Sequence, residues 1–366
     1  MKLMANPAGY FKDLFSKDAG DKEIGGSGTM AHQAIGGSGR LTDGTGDAPA
    51  KTTPFGVILR KEIADHIRSW RFIVLLILIV LTFAATMYVS LSNLKAAVAN
   101  EADPDRLFLY LKLLTTTDGS LPAFHIFISF LGPLLGISLG FDAVNAEQNN
   151  GTLIRVMAQP VYRDNLLLAK FLGALVVVAV LFFSLGLFMI GGGLIITGVR
   201  IEPVEFLRIL AFLFVTVLYV GFWLSLSILL SIRFRQATTS ALTAIGIWLF
   251  FTVFFRIIVN IAVKAFFPDP VYLSPTEILS YNYLILDMLR LAPSQLYMDA
   301  TTTFLMPSVR SLGPLTVEQM AGAIPSPLPL RESILIVWPQ VSGLLAATAV
   351  CFALSYYWFM RREIRT

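Results

Sequence analysis

The chain has 366 residues, 55% of them hydrophobic and 14% charged, with a net charge of +4 and a mean hydropathy of +0.71. A soluble domain of this length has no means of covering so much apolar surface, so the composition points to several membrane helices. The modest positive charge gathers at certain span ends, which speaks for topology and against nucleic-acid binding, and the single cysteine, Cys351 inside an expected span, excludes an intrachain disulfide framework and a cysteine metal site.

Residues 1–53 are rich in Gly, Asp, Lys and Thr, and Ile-Gly-Gly-Ser-Gly occurs twice, at 24–28 and 35–39. That composition suits a natural flexible tail or an added linker. A small amphipathic patch at 10–15 has a surface-binding reading beside that of a fraying tail. No signal peptide is expected, because the polar, Gly-rich stretch precedes the first apolar run.

Pro54 opens a different segment, 54–71. Phe55, Leu59, Ile63, Ile67 and Trp70 share one helical face, while Arg60, Lys61, Asp65, Arg68 and Arg71 occupy the others. This pattern predicts a helix lying in the headgroup plane, its cations reaching anionic lipid. A six-span domain, 72–366, follows. Its spans are expected at about 72–91, 122–141, 166–190, 206–230, 238–263 and 334–360, the third ending at Gly191-Gly192-Gly193. Gly132, Gly136 and Gly140 in the second span permit close helix packing, and Pro133 permits a kink.

Arg60, Lys61, Arg68, Arg71, Arg155, Arg163, Lys170, Arg233, Arg235, Arg361, Arg362 and Arg365 fall on one side; Lys95, Arg106, Lys112, Arg200 and Arg208 fall on the other. The excess of cations marks the cytosolic side, so both termini are expected there, in the inner membrane of the cell. The external loops are then 93–121, partly helical through 106–114, and 267–332, which carries an apolar-periodic run at 276–291 before a Pro-rich stretch. A loop of that length with helices of its own has the size of a small cap or of a docking platform for an extracytoplasmic protein.

Between the second and third spans lies a polar island, 145–160. Asn150-Gly151-Thr152 predicts a turn that Thr152 is able to cap, and Leu153, Val156 and Met157 supply an apolar stripe before Pro160 stops the helix. Glu147, Gly151-Thr152-Leu153, Pro160, Arg163 and Lys170 resemble the pattern E-x-x-x-G-T-L, then P, R and K, of the permease subunits of type-2 ABC transporters. Hydropathy and the basic C-terminal end extend the resemblance more weakly over 54–366. It implies an all-α, six-span permease preceded by an elbow helix. It also implies a second permease copy or paralogue, and separate ATPase subunits carrying ATP and Mg, with no cofactor on this chain. In such a protein the island is a coupling helix. Glu147 is its charged contact, Gly151 its point of close approach and Leu153 its apolar key, with Asn150, Thr152, Arg155, Pro160 and Arg163 beside them.

The chain has no G-x-x-x-x-G-K-[ST], and its three histidines lack metal-ligand spacing. Asp142 and Glu147 flank the turn as a carboxylate pair with no basic or metal companion in the sequence pattern. The chain is therefore expected not to be catalytic alone. In the fifth span Arg256, Asn260 and Lys264 are four apart on one face, with Phe251 and Phe255 nearby. Arg256, Asn260, Phe251 and Phe255 are candidates for a substrate cavity that holds an anionic headgroup against aromatic walls. The competing expectation, stronger for Lys264, is that these cations reach out to the interface. A scaffold that uses the ATPase to work on an extracytoplasmic partner is the alternative function. A secondary transporter is disfavoured by the absence of an inverted repeat or a proton-relay carboxylate.

Overall fold

The computed structural model describes residues 54–99, 108–117, 119–152, 163–266, 274–309, 312 and 327–361. Helices α1 (Pro54–Arg68), α2 (Trp70–Ala99), α3 (Leu109–Thr115), α4 (Phe124–Gly140) and α5 (Asn145–Asn149) form the first part. They are followed by α6 (Arg163–Thr197), α7 (Pro203–Arg233) and α8 (Ala237–Leu249), which runs through a π-helical turn at Phe250–Phe254 into α9 (Phe255–Phe266). Helices α10 (Pro275–Leu289), α11 (Pro293–Leu305) and α12 (Leu330–Arg361) complete the order, with no strand among the described residues. Among the described residues, six stretches are long and apolar enough to cross a membrane: Trp70–Leu94, Phe124–Asn149, Arg163–Thr197, Pro203–Arg233, Ala237–Phe266 and Leu330–Arg361. They coincide with the six expected spans.

The fourth span, α7, is the hub, packed against α4, α6, α11 and α12. Glycines set its distance from α4. A Cβ on Gly136 would stand 2.7 Å from the Val220 carbonyl oxygen, and one on Gly140 would stand 2.9 Å from that of Leu224. Close backbone approach of this kind drives helix association in lipid, where helices gain little from apolar burial alone. Trp223, the largest fully buried side chain, fills the space beside this contact.

One expectation fails at the third span. Gly191–Gly193 does not end it: α6 continues to Thr197, and the chain turns at Gly198 with φ +70°. Gly193 is instead a packing position, where a Cβ would meet the Tyr110 ring at 2.8 Å. A positive φ is what stops a helix here, and the triple glycine lacks it.

Two short helices brace the end of the bundle where α6 turns into α7. Tyr110 on α3 donates through its hydroxyl to the Val199 carbonyl at 2.6 Å, and its N–H donates to Glu205 Oε1 at 3.0 Å. On α11, Tyr297 stacks on Tyr219 with centroids 4.4 Å apart and shares a 3.2 Å hydrogen bond with Thr216. The first, fifth and sixth spans carry much of the remaining apolar surface exposed.

Candidate functional site

The C-terminal end of the second span builds the site. Past Gly140 the backbone loosens into a turn and then α5, where Ser231 on α7 accepts from the N–H groups of Val144 (3.0 Å) and Asn145 (3.2 Å). These backbone donors would otherwise be unpaired in a buried setting. Asn149 extends the tie to the next connection: its Nδ2 donates to the Arg235 carbonyl at 3.0 Å. Asn150 caps α5, and Gly151 follows with φ +68° and open space where a Cβ would be. The turn forms because glycine enters the left-handed region without steric cost. Thr152 turns its hydroxyl back to the Glu147 carbonyl at 3.2 Å. The expected stripe beyond it, with Leu153, Arg155 and Pro160, lies outside the described residues. Arg163 is exposed at the start of α6.

Glu147 points the other way, into the protein. Its Oε1 accepts from Lys170 Nζ on α6 at 2.7 Å, and Lys170 also donates to both carboxylate oxygens of Glu62 on α1, at 3.2 and 3.1 Å. Lys170 and Glu62 are both about 95% buried. Lys61 adds a second cation, 3.3 Å from Glu62, 3.4 Å from Asp65 and 3.8 Å from Glu147. Glu147 Oε2 is buried without a hydrogen-bond partner among the described residues. Asp142 is held separately by Arg71 at 2.5 Å, whose guanidinium also lies over the Phe141 ring at 4.6 Å. The expectation that these carboxylates lack basic companions is therefore wrong. The companions come from α1 and α6, distant in sequence.

The electrostatics follow from burial and charge together. Burial pushes the Glu62 carboxyl up, but the ammonium groups of Lys170 and Lys61 outweigh it and hold the group below the ordinary carboxylate range. Burial drives His66, one turn further along α1, below the usual histidine value, with Lys170 adding to the effect. Helix α1 approaches α6 closely because Gly173 leaves room: a Cβ there would lie 3.0 Å from Glu62 Cβ. Sequence reasoning missed Glu62. It sits beside Ile63 on the flank of the apolar stripe, and a charged residue at that edge is the signal that it faces protein and not water.

The fifth-span candidates form a second, smaller site. Phe251, Phe255 and Arg256 line a cavity of about 280 Å³, with Gln295 and Met298 of α11 opposite. Arg256 Nη2 donates to Gln295 Oε1 at 3.3 Å. Gln295 Nε2 in turn donates to Asp299 at 2.7 Å, and Arg290 holds the other Asp299 oxygen at 3.1 Å. Asn260 is exposed one turn away and does not line this cavity. The π-helical turn just before Phe255 swings the aromatic cluster Phe250, Phe251 and Phe255 together, with Phe251 and Phe255 centroids 5.6 Å apart.

The sequence matches the family described as ABC-2 family transporter protein over residues 57–364. It is 29% identical over 203 residues to the probable ABC transporter permease protein NosY of Pseudomonas aeruginosa, a stretch covering 54% of this chain and 66% of that protein. Against the protein of the same description from Stutzerimonas stutzeri the identity is 26% over 203 residues, covering 55% of this chain and 67% of the relative. The chain thus spans about two thirds of the length of these curated relatives.

Proposed function

The chain belongs to the ABC-2 family of transporter proteins, and from that membership we propose that it is the permease subunit of an ATP-driven exporter. ATP and Mg bind, and ATP is hydrolysed, on separate ABC ATPase subunits. A second permease copy or paralogue completes the membrane part, which the apolar exposure of the first and fifth spans supports. Both termini and the turn at Glu147–Thr152 face the cytosol, a placement that the distribution of Lys and Arg supports. In this arrangement α1 is the elbow helix, the turn leads into the coupling helix, and α10 and α11 belong to the external region.

The observation that carries the proposal is the bond set around Lys170. One ammonium joins the coupling turn, through Glu147, to the third span and to the interfacial helix, through Glu62. Displacement of the turn by a closing ATPase therefore moves three elements together. A ligand or partner shifts such an equilibrium only by contacting two conformations differently, and the rigid tie makes the turn's position such a contact. The substrate enters between spans, and the Arg256 cavity with its aromatic walls suits an amphiphile bearing an anionic head. The test uses the permease reconstituted in vesicles with its ATPase. Glu147→Gln and Gly151→Ala are expected to retain assembly while lowering vesicle-coupled ATP hydrolysis by about tenfold. Unchanged coupling in both variants would remove the assignment of this turn.

A second reading is favoured by the bracing of the external helices. With Tyr297 stacked on Tyr219, α11 is fixed to the hub span and able to pass span motion outward. The chain would then be a scaffold working on an extracytoplasmic protein held at 267–332. Export predicts that small-molecule substrate stimulates ATP hydrolysis; scaffolding predicts that only a protein partner does.

A further inference from the structure

Three arginines outside the sites above converge on one basin. The ends of α7 and α12, with the two residues after α7, border an open hollow of about 650 Å³ lined by Ile232, Arg233, Phe234, Arg235, Trp358 and Arg361. Arg233 lies in the last turn of α7 and Arg361 in the last turn of α12, so both sit where a span leaves the membrane. Among the described residues, none of the ion pairs involves Arg233, Arg235 or Arg361, and none of the residues lining the basin is a carboxylate. Arg361 is steadied by the Tyr357 ring, 4.4 Å from its guanidinium carbon. Ile232, Phe234 and Trp358 supply the apolar part of the lining.

We propose that this basin is a binding site for the headgroup phosphate of an anionic phospholipid. Guanidinium groups recognise phosphate oxygens through paired N–H donors, and three around one hollow supply more donors than a single exposed arginine. Basic pockets between span ends are where anionic headgroups lodge, and the aromatic flank matches the glycerol and upper acyl region at the interface. The volume is in the range of small-ligand sites, large enough for a phosphate-bearing headgroup. A snorkelling arginine, by contrast, touches any headgroup without preference. The site lies on the same face as the coupling turn whatever the orientation of the chain, since Asn149 bonds the Arg235 carbonyl. A seated headgroup is therefore next to the connection that anchors the turn.

The full chain, purified in mild detergent, is incubated with phosphatidylglycerol, with phosphatidylcholine or with inorganic phosphate, and bound species are counted by native mass spectrometry. Phosphatidylglycerol is expected to be retained at least about tenfold better than phosphatidylcholine, a difference of about 1.4 kcal/mol. The triple change Arg233→Gln, Arg235→Gln and Arg361→Gln is expected to abolish that preference. The corresponding triple change to Lys keeps most of it and shows that loss in the Gln variant is not misfolding; should the Gln variant elute as aggregate, Arg361→Gln alone carries the comparison. Equal retention of the two lipids overturns the proposal. So does full displacement of phosphatidylglycerol by millimolar phosphate, which would make the basin a soluble-anion site. Gln variants that keep their lipid preference but lose a co-purifying ATPase subunit would assign it to that partner.

Discussion

At the scale of single residues, Lys170 concentrates the largest consequence in the smallest change. Replacing it by Met leaves two carboxylates, one fully buried, without their principal cation. Breaking a buried pair from one side costs about 3–5 kcal/mol, because the remaining charge stays desolvated. Lys170→Met is therefore expected to lower the Tm of the detergent-solubilised chain sharply. Adding Glu62→Gln to that variant should recover part of the loss, and an additive double variant would deny the coupling. The same carboxyl gives a pH dependence. Its folded pKa lies below the unfolded reference of 4.5, so its stabilisation is complete above that reference and disappears as pH falls through the depressed folded value. Glu62→Gln should erase this acid limb. His66 has the opposite chemistry but the same sign: with its folded pKa lowered from 6.5, it holds fewer protons folded than unfolded. Stability accordingly declines as pH drops from 6.5 towards that folded value. His66→Gln should remove that decline in a thermal-melt series between pH 8 and pH 5.

At the scale of elements, glycines divide into those that pack and those that do not. Gly136→Ala drives a methyl against the backbone of α7 at Val220 and Leu224, and overpacking of this kind costs about 1–3 kcal/mol. Gly151→Ala meets no atom but must hold φ +68°, at about 1 kcal/mol. Gly191 is different again. It lies inside α6 with nothing within 4 Å of an added Cβ, so Gly191→Ala is expected to be neutral or to stabilise by up to about 1 kcal/mol. Thermal melts of the three variants should rank in that order, and a strongly destabilised Gly191→Ala would mean that α6 does break at the triple glycine.

At the scale of the whole molecule, Arg208 is the clasp between the hub span and the short helix α11. It is wholly buried in the N-terminal part of α7. Its Nη1 donates to the Phe304 carbonyl at 3.3 Å and to Ser333 Oγ at 3.2 Å, and its Nη2 donates to the Leu328 carbonyl. One guanidinium thus ties the end of α11 to the entry of α12. Leaving the carbonyls it serves unsatisfied costs about 1–3 kcal/mol each. Arg208→Leu should open the connection between α11 and α12 to limited proteolysis while the six spans persist. Unaltered cleavage would show that the aromatic stack of Tyr219 and Tyr297 suffices. Sequence reasoning had Arg208 only as one of the scattered cations of the outer side, because its acceptors are carbonyls more than 90 residues away.

The six long apolar helices, the amphipathic helix α1 and the polar turn at Asn150–Thr152 were written in the sequence by itself. Hydrophobic run length and helical periodicity are local properties, and a bilayer admits few structures that satisfy them. Tertiary structure alone decided the partners of charge. Lys170 reaches Glu62 across 108 residues and Glu147 across 23, and no periodicity in the chain encodes either separation. It also decided that the triple glycine continues a helix, since only the neighbouring Tyr110 ring reveals what Gly193 is for. The physical reason is common to all these cases. Whether a helix forms and spans depends on nearest neighbours along the chain, whereas pairing and close approach depend on which faces the packed bundle turns toward each other.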